Sequence, residues 1–195
     1  MRAILAVMII TMLAEPALAQ TVTSMDTELA KGRCRFIETD GEVGDYALKR
    51  CPGLAGARVF TEAMGAHNVS LSFQWGKAKA LDVVKSYSIG TKLEWRGFRG
   101  KQRFKPYAAI VTVIVWDHET EKTYNVLGVL RMEARNACLM AVVDETANPD
   151  ALALARARAD AEAPTFVCAT DKPKTLDKTS QWAQQVIGRE GDPPK

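Results

Sequence analysis

Alternation of apolar and polar residues is the dominant pattern in this chain. Val69, Leu71 and Phe73 fall on one side of a two-residue period and Ser70, Ser72 and Gln74 on the other, which predicts a half-buried antiparallel strand over Val69–Trp75. Arg58–Met64 precedes it across Gly65-Ala66-His67-Asn68, and the two read as a hairpin. Cys34–Ile37 and Tyr46–Cys51 pair in the same way across Thr39–Asp45, a loop with Asp40-Gly41 and Gly44-Asp45 turn signals. Leu93–Arg96 and Phe104–Trp116 flank a basic, glycine-containing turn. Ala108–Trp116 is apolar and β-branched almost throughout, which predicts a central strand covered on both faces. Tyr124–Met132, after the polar turn Asp117–Lys122, and Cys138–Asp144 add two more strands. Ala78–Tyr87 fits a short helix or a loop equally well.

The pattern changes after Asn148. That residue is a candidate N-cap, Pro149 suits the first helical position, and Asp150 faces the positive end of the helix dipole. Ala151–Ala163 is rich in alanine and leucine, and Pro164 stops it. Leu152, Ala155 and Ala159 are the expected apolar stripe, with Arg156–Asp160 and Arg158–Glu162 as exposed pairs spaced four apart. A weaker helix over Thr179–Ile187 offers Trp182 and Val186 for docking. The expected fold class is α+β: an antiparallel sheet of about six to eight strands, one well-defined C-terminal helix packed on it, and a weaker terminal helix.

The beginning of the chain follows another logic. Met1-Arg2 is positive, Ala3–Leu13 is apolar except for Thr11, and Ala17-Leu18-Ala19 precedes Gln20. This reads as a secretory signal peptide cleaved after Ala19. A bilayer-spanning helix needs about twenty apolar residues, more than this run or Ala108–Trp116 supplies. No cysteine follows the cleavage position to accept a lipid. The chain therefore divides into a signal (1–19), a lead-in (20–33), one disulfide-bonded domain (34–187) and a flexible tail (188–195) that holds Gly191, Pro193 and Pro194.

Cys34, Cys51, Cys138 and Cys168 are even in number, which in an oxidising compartment reads as two disulfides. Sequence order favours Cys34–Cys51 and Cys138–Cys168, because each closes a short loop within a local unit. No metal site is expected: there is no C-x-x-C, and His67 and His118 are far from any cysteine in sequence. No cofactor is expected either, since Gly53–Gly56 has no lysine or serine in a phosphate-loop arrangement.

A net charge of +3 permits an anionic partner without requiring one. The charge concentrates in Lys92–Tyr107, where Lys92, Arg96, Arg99, Lys101, Arg103 and Lys105 stand against Glu94 alone. Trp95, Phe98, Phe104 and Tyr107 are interleaved with them. Basic groups attract phosphate or carboxylate and aromatic rings stack on apolar faces, so Lys92, Trp95, Arg96, Arg99, Lys101, Arg103 and Lys105 form a candidate anion- or partner-binding patch. In a periplasm the partner would be an anionic lipid, lipopolysaccharide or an acidic protein; no nucleic acid is expected there. The competing reading is a solvated hairpin whose aromatics sit in the core. Asp117-His118-Glu119 reads as a turn, because adjacent side chains point different ways. His67 reads as a surface turn residue, and Glu38, Asp40, Glu42 and Asp45 as a solvated acidic loop, with calcium binding as the alternative, though the spacing lacks the EF-hand pattern.

Three of these stretches occur together in a recognisable way. They are Cys51-Pro52-Gly53 with Gly56 and Val59-Phe60; Glu94-Trp95-Arg96; and Cys138 through Val143-Asp144, Asn148-Pro149-Asp150-Ala151-Leu152-Ala153 and Cys168. The combination resembles a family of uncharacterised exported alphaproteobacterial proteins with two disulfides, over most of Cys34–Cys168. The resemblance implies a Gram-negative periplasm and supports the disulfide pairing, and it carries over no catalytic residue. Relatives tend to be acidic where this chain has Ala63-Met64-Gly65-Ala66-His67. The expected function is a non-enzymatic periplasmic protein that binds a protein or an anionic envelope component. The alternatives are a binder resembling lysozyme inhibitors and a cell-wall or carbohydrate hydrolase with paired carboxylates. The hydrolase would show an open cleft with two acids about 5–9 Å apart.

Overall fold

The computed structural model describes residues 21–30, 32–40, 46–65, 67–100, 103–178 and 180–190. Residues 1–20, where the signal is expected, Lys101, Gly41 to Asp45 with the acids Glu42 and Asp45, and the last five residues lie outside these. In chain order the strands are β1 (Val22–Glu28), β2 (Arg35–Thr39), β3 (Tyr46–Cys51), β4 (Ala57–Met64), β5 (Val69–Trp75), β6 (Leu81–Ser86), β7 (Ser88–Arg99), β8 (Phe104–Asp117), β9 (Lys122–Met132), β10 (Ala137–Asp144) and β11 (Lys174–Thr175). The helices are α1 (Ala151–Glu162) and α2 (Gln181–Glu190). The class is α+β, as expected. Instead of one sheet there are two, in the orders β1-β7-β8-β9-β10-β11 and β2-β3-β4-β5-β6. Every pair is antiparallel except β10–β11.

Three strands were not evident from the apolar pattern: β1, β6 and the two-residue β11. β1 is mostly polar, with Val22 and Met25 its apolar residues, and lies in the lead-in, but it pairs with β7 from Val22↔Phe98 to Glu28↔Lys92. β6 resolves the ambiguous segment as a strand. The β5–β6 register shifts between Leu71 and Ser72. Consecutive Val83 and Val84 are both buried, which breaks the alternation that would have identified a strand.

The main core lies between the sheets. Val59, Leu71 and Phe73 from the smaller sheet meet Leu93, Trp95, Val111 and Val113 from the larger. Trp95 is 0% exposed, meets Phe73 edge-on with centroids 5.7 Å apart, and donates its indole N–H to Thr27 Oγ1 at 2.9 Å. The other face of the larger sheet presents Ala108, Ile110, Leu127, Val129 and Met140 to α1. β8 is thus covered on both faces, as its composition predicts.

The helix docks differently from expectation. Its buried row is Ala151, Ala155 and Ala159, extended by Ala163, whereas Leu152 is 40% exposed. Small side chains at a four-residue spacing let the backbone lie close to the sheet, and a leucine in that row would hold it off. Asn148 does not cap the helix either. It is buried, accepts the Lys178 N–H at Oδ1 (3.3 Å) and donates from Nδ2 to the carbonyls of Asp144 (2.9 Å) and Lys178 (3.3 Å), tying the β10–α1 turn to the segment after β11. α2 continues past Ile187 to Glu190 and inserts Ala183 and Val186 into the inter-sheet core, with Trp182 stacked on Tyr124 at 4.4 Å. No helix among the described residues is long and apolar enough to cross a membrane.

Both disulfides form in the expected pairing, Cys34–Cys51 and Cys138–Cys168. The turn after Cys51 is tightly built. A Cβ at Gly53 would lie 2.0 Å from the carbonyl oxygen of Ala57, a backbone atom that cannot swing away. Gly53→Ala is expected to destabilise the protein by about 1–3 kcal/mol, within the range for overpacking. In urea unfolding this should appear as a lower midpoint with an unchanged slope.

Candidate functional site

Strand alternation sorts β7 into two functions. Leu93 and Trp95 enter the inter-sheet core, while Glu94 and Arg96 face α1. Arg156 on α1 makes a bidentate pair with Glu94, its Nε and Nη2 each 2.9 Å from a carboxylate oxygen. Arg96 grips Asp160 of α1 with two guanidinium donors, Nε at 3.0 Å and Nη2 closer still. Ser24 of β1 accepts from Arg96 Nη1 at 2.6 Å and donates to Glu94 Oε1 at 2.5 Å. The Tyr107 hydroxyl donates to Asp160 at 2.5 Å. The pairs expected within the helix are therefore half realised. Arg158–Glu162 forms along α1, but Arg156 and Asp160 reach across to β7.

The electrostatics match a structural clamp. Burial acts to raise the Glu94 carboxyl, but hydrogen bonds from Arg156 and Ser24 and the two guanidinium charges outweigh it and hold the group below the ordinary carboxylate value. Burial, reinforced by the neighbouring Asp160 carboxylate, pushes the Tyr107 phenol up. A carboxyl lowered on folding contributes stability that is complete above its unfolded value, near 4.5, and is lost as pH falls through the lower folded value. Stability is therefore expected to be flat on this account from neutral pH to about 5 and to fall below pH 4.5. Glu94→Gln should flatten the acid limb of a plot of urea midpoint against pH; an unchanged limb would exclude Glu94 as its source.

Beside this clamp, at the end of the sandwich where β7 turns into β8, an open cleft of about 930 Å³ lies between the sheets. Leu54, Trp75, Trp95, Phe98, Phe104 and Met132 supply its apolar floor and walls. Arg103, Lys105 and Arg131 are its basic residues and Glu133 its one acid. Glu133 is already engaged, accepting the Cys168 N–H at 3.3 Å and the Asn136 side-chain amide at 3.4 Å. Arg131 Nη1 donates to the Tyr107 carbonyl at 3.2 Å, while its Nε is buried without a partner. The disulfides brace facing parts of the cleft. Cys51 leads into the turn carrying Leu54–Ala57, and Cys168 is bonded to both Cys138 and the Glu133 carboxylate.

The structure splits the basic stretch read from sequence. Arg103 and Lys105 are exposed at the cleft, with Trp95 beneath them. Arg96 is 13% exposed and committed to Asp160. Lys92 pairs with Asp26 at 3.0 Å on the exposed β1–β7 surface. Arg99 is exposed on the hairpin outside the cleft lining, and Lys101 lies outside the described residues. Arg131 was not singled out from sequence. It stands alone between apolar residues of β9 and reaches the cleft only because Ala108↔Arg131 is a register pair.

Two further candidates, Asp117 and Asp40, serve in turns. Asp117 accepts the Glu119 N–H at 2.9 Å and the Thr120 hydroxyl, closing the β8–β9 turn. Asp40 accepts the Tyr46 N–H at 2.9 Å across the first hairpin. Comparison with known proteins finds no matching family model, no matching curated protein and no matching solved structure.

Proposed function

We propose that this chain is an exported periplasmic binding protein, without catalytic activity, that takes an anionic amphiphile of the cell envelope into the cleft. The ligand class is an acyl or similarly apolar chain carrying a phosphate or carboxylate head. The observation that carries the reading is the cleft itself: an aromatic floor beside Arg103, Lys105 and Arg131, with its single acid occupied by the Cys168 backbone and Asn136. An apolar chain would bury against the rings, and an anionic head would pair with the exposed Arg103 and Lys105 at the cleft. The signal-like first nineteen residues and the two disulfides support export. Two-carboxylate hydrolysis is weaker support for this cleft, because Glu133 has no second acid beside it among the described lining residues.

The test is equilibrium binding of dodecyl phosphate against dodecyl maltoside, which share a chain and differ in head charge. Dodecyl phosphate should bind more tightly, and its affinity should fall with added salt. Arg103→Glu with Lys105→Glu should weaken it at least roughly tenfold, about 1.4 kcal/mol or more. Arg99→Glu, outside the cleft lining, should change it little. Equal affinity for the two detergents, or no effect of the double charge reversal, would remove the proposal.

A further inference from the structure

The two histidines of the chain meet at a second concavity. His67 in the β4–β5 turn stacks on Tyr87, with centroids 4.3 Å apart and planes within 7°. Tyr87, the residue between β6 and β7, stacks in turn on Trp116 near the end of β8, at 5.3 Å and 17°. His118 of the β8–β9 turn joins these three rings as the lining of a hollow of about 340 Å³. The rings come from three places in the sequence, the β4–β5 turn of the smaller sheet, the β6–β7 junction and the end of β8 with its turn in the larger sheet.

We propose that this hollow is a carbohydrate-binding site that accepts a pyranose ring of a neutral glycan. Its described lining is made of rings alone, with no aliphatic and no carboxylate, ammonium or guanidinium side chain. The ring faces are apolar, while their edges carry imidazole nitrogens, an indole N–H and the Tyr87 hydroxyl; the Tyr87 hydroxyl already pairs with His67 Nε2 at 3.4 Å, so the His118 nitrogens are the edge groups offered to a ligand. A pyranose has the same division, with a C–H face that stacks on aromatic surface and a hydroxyl edge that hydrogen-bonds. An acyl chain would leave the polar edges unpaired, and a strongly ionic ligand finds no fixed opposite charge. The volume is at the lower end of small-molecule pockets, which run from roughly 300 to 1,000 Å³. The site is separate from the cleft: along β8, Tyr107 and Trp116 are about 30 Å apart at the usual rise per residue.

The experiment is an amide and indole N–H chemical-shift titration with maltotriose and with chitotriose, run on the whole chain. Shifts are expected at His67, Tyr87, Trp116 and His118 with at least one of the two sugars, and not at Phe98 or Arg131. His118→Ala, an exposed turn substitution that leaves the stack intact, should weaken binding roughly threefold to tenfold, the equivalent of one lost hydrogen bond. Trp116→Ala should abolish it; if that variant is not folded, Trp116→Leu, which keeps bulk but no ring face, replaces it. No shift with either sugar, shifts located elsewhere, or unchanged affinity in His118→Ala together with the Trp116 variant would overturn the assignment. Dodecyl phosphate binding at the cleft is read independently, so either site can fail without the other.

Discussion

Replacing the second disulfide, as Cys138→Ala with Cys168→Ala, is expected to lower stability by about 3.5 kcal/mol. The bridge closes a loop of 30 residues in sequence separation, and the loss of loop-closure entropy in the unfolded chain sets that magnitude. For a chain of this length the melting temperature should fall by roughly 7–14 °C. The shorter Cys34–Cys51 loop, with a separation of 17, should cost slightly less, about 3 kcal/mol. The second bridge also has a local consequence. It holds Cys168 where its N–H meets Glu133, so the 131–134 wall of the cleft should loosen and dodecyl phosphate affinity should fall along with stability. The first bridge should affect the Leu54–Ala57 wall instead. A thermal scan and a binding curve on each double variant check both effects. A loss below about 1 kcal/mol for Cys138/Cys168 would mean that the unfolded chain is already held compact there.

The second large effect is expected at Arg96. Its side chain is 13% exposed and stands between Glu94, 9% exposed, and Asp160, 31% exposed. Arg96→Ala leaves Asp160 with only the Tyr107 hydroxyl and removes one of the two cations beside Glu94. Breaking a buried pair by removing one partner costs about 3–5 kcal/mol, and the partial exposure of Asp160 places this case near 3. Arg156→Ala should cost about 2 kcal/mol: it strips the 9%-exposed Glu94 of its bidentate partner, but Ser24 and the Arg96 guanidinium remain beside that carboxylate. Arg96→Met with Asp160→Leu should recover much of the loss, since apolar replacement of both partners leaves no orphan charge. Urea midpoints for the three variants give the comparison. A loss below about 1 kcal/mol at Arg96 would show that the clamp contributes little to stability.

β5 and β8 to β10 were legible because they alternate or are largely apolar, and β2 to β4 because turn signals set them off as hairpin arms. β6 was not, because its bulge buries two adjacent valines, and β1 was not, because an edge strand can be polar and still pair. The cysteine pairing was legible from loop length. The helix was legible in position but not in facing. Its row of alanines, not Leu152, goes inward, which frees Arg156 and Asp160 to pair across to β7. Half of the cleft was visible as the basic stretch through Arg103 and Lys105. Arg131 and the Leu54 turn come to it from other strands through sheet register, which no local motif encodes. The two histidines meet for the same reason. They are 51 positions apart in sequence and become neighbours only through the joint between the sheets.

The cleft is tested most directly by a chemical-shift titration of the whole chain with dodecyl phosphate. The expected result is a set of saturable shifts confined to the indole N–H groups of Trp75 and Trp95, the amides of Phe98 and Phe104, and the Arg131 Nε–H. That set should be lost in Arg103→Glu with Lys105→Glu. Shifts spread over the exposed surface, or a saturable set on the α1 face with the Arg131 Nε–H unmoved, would contradict it.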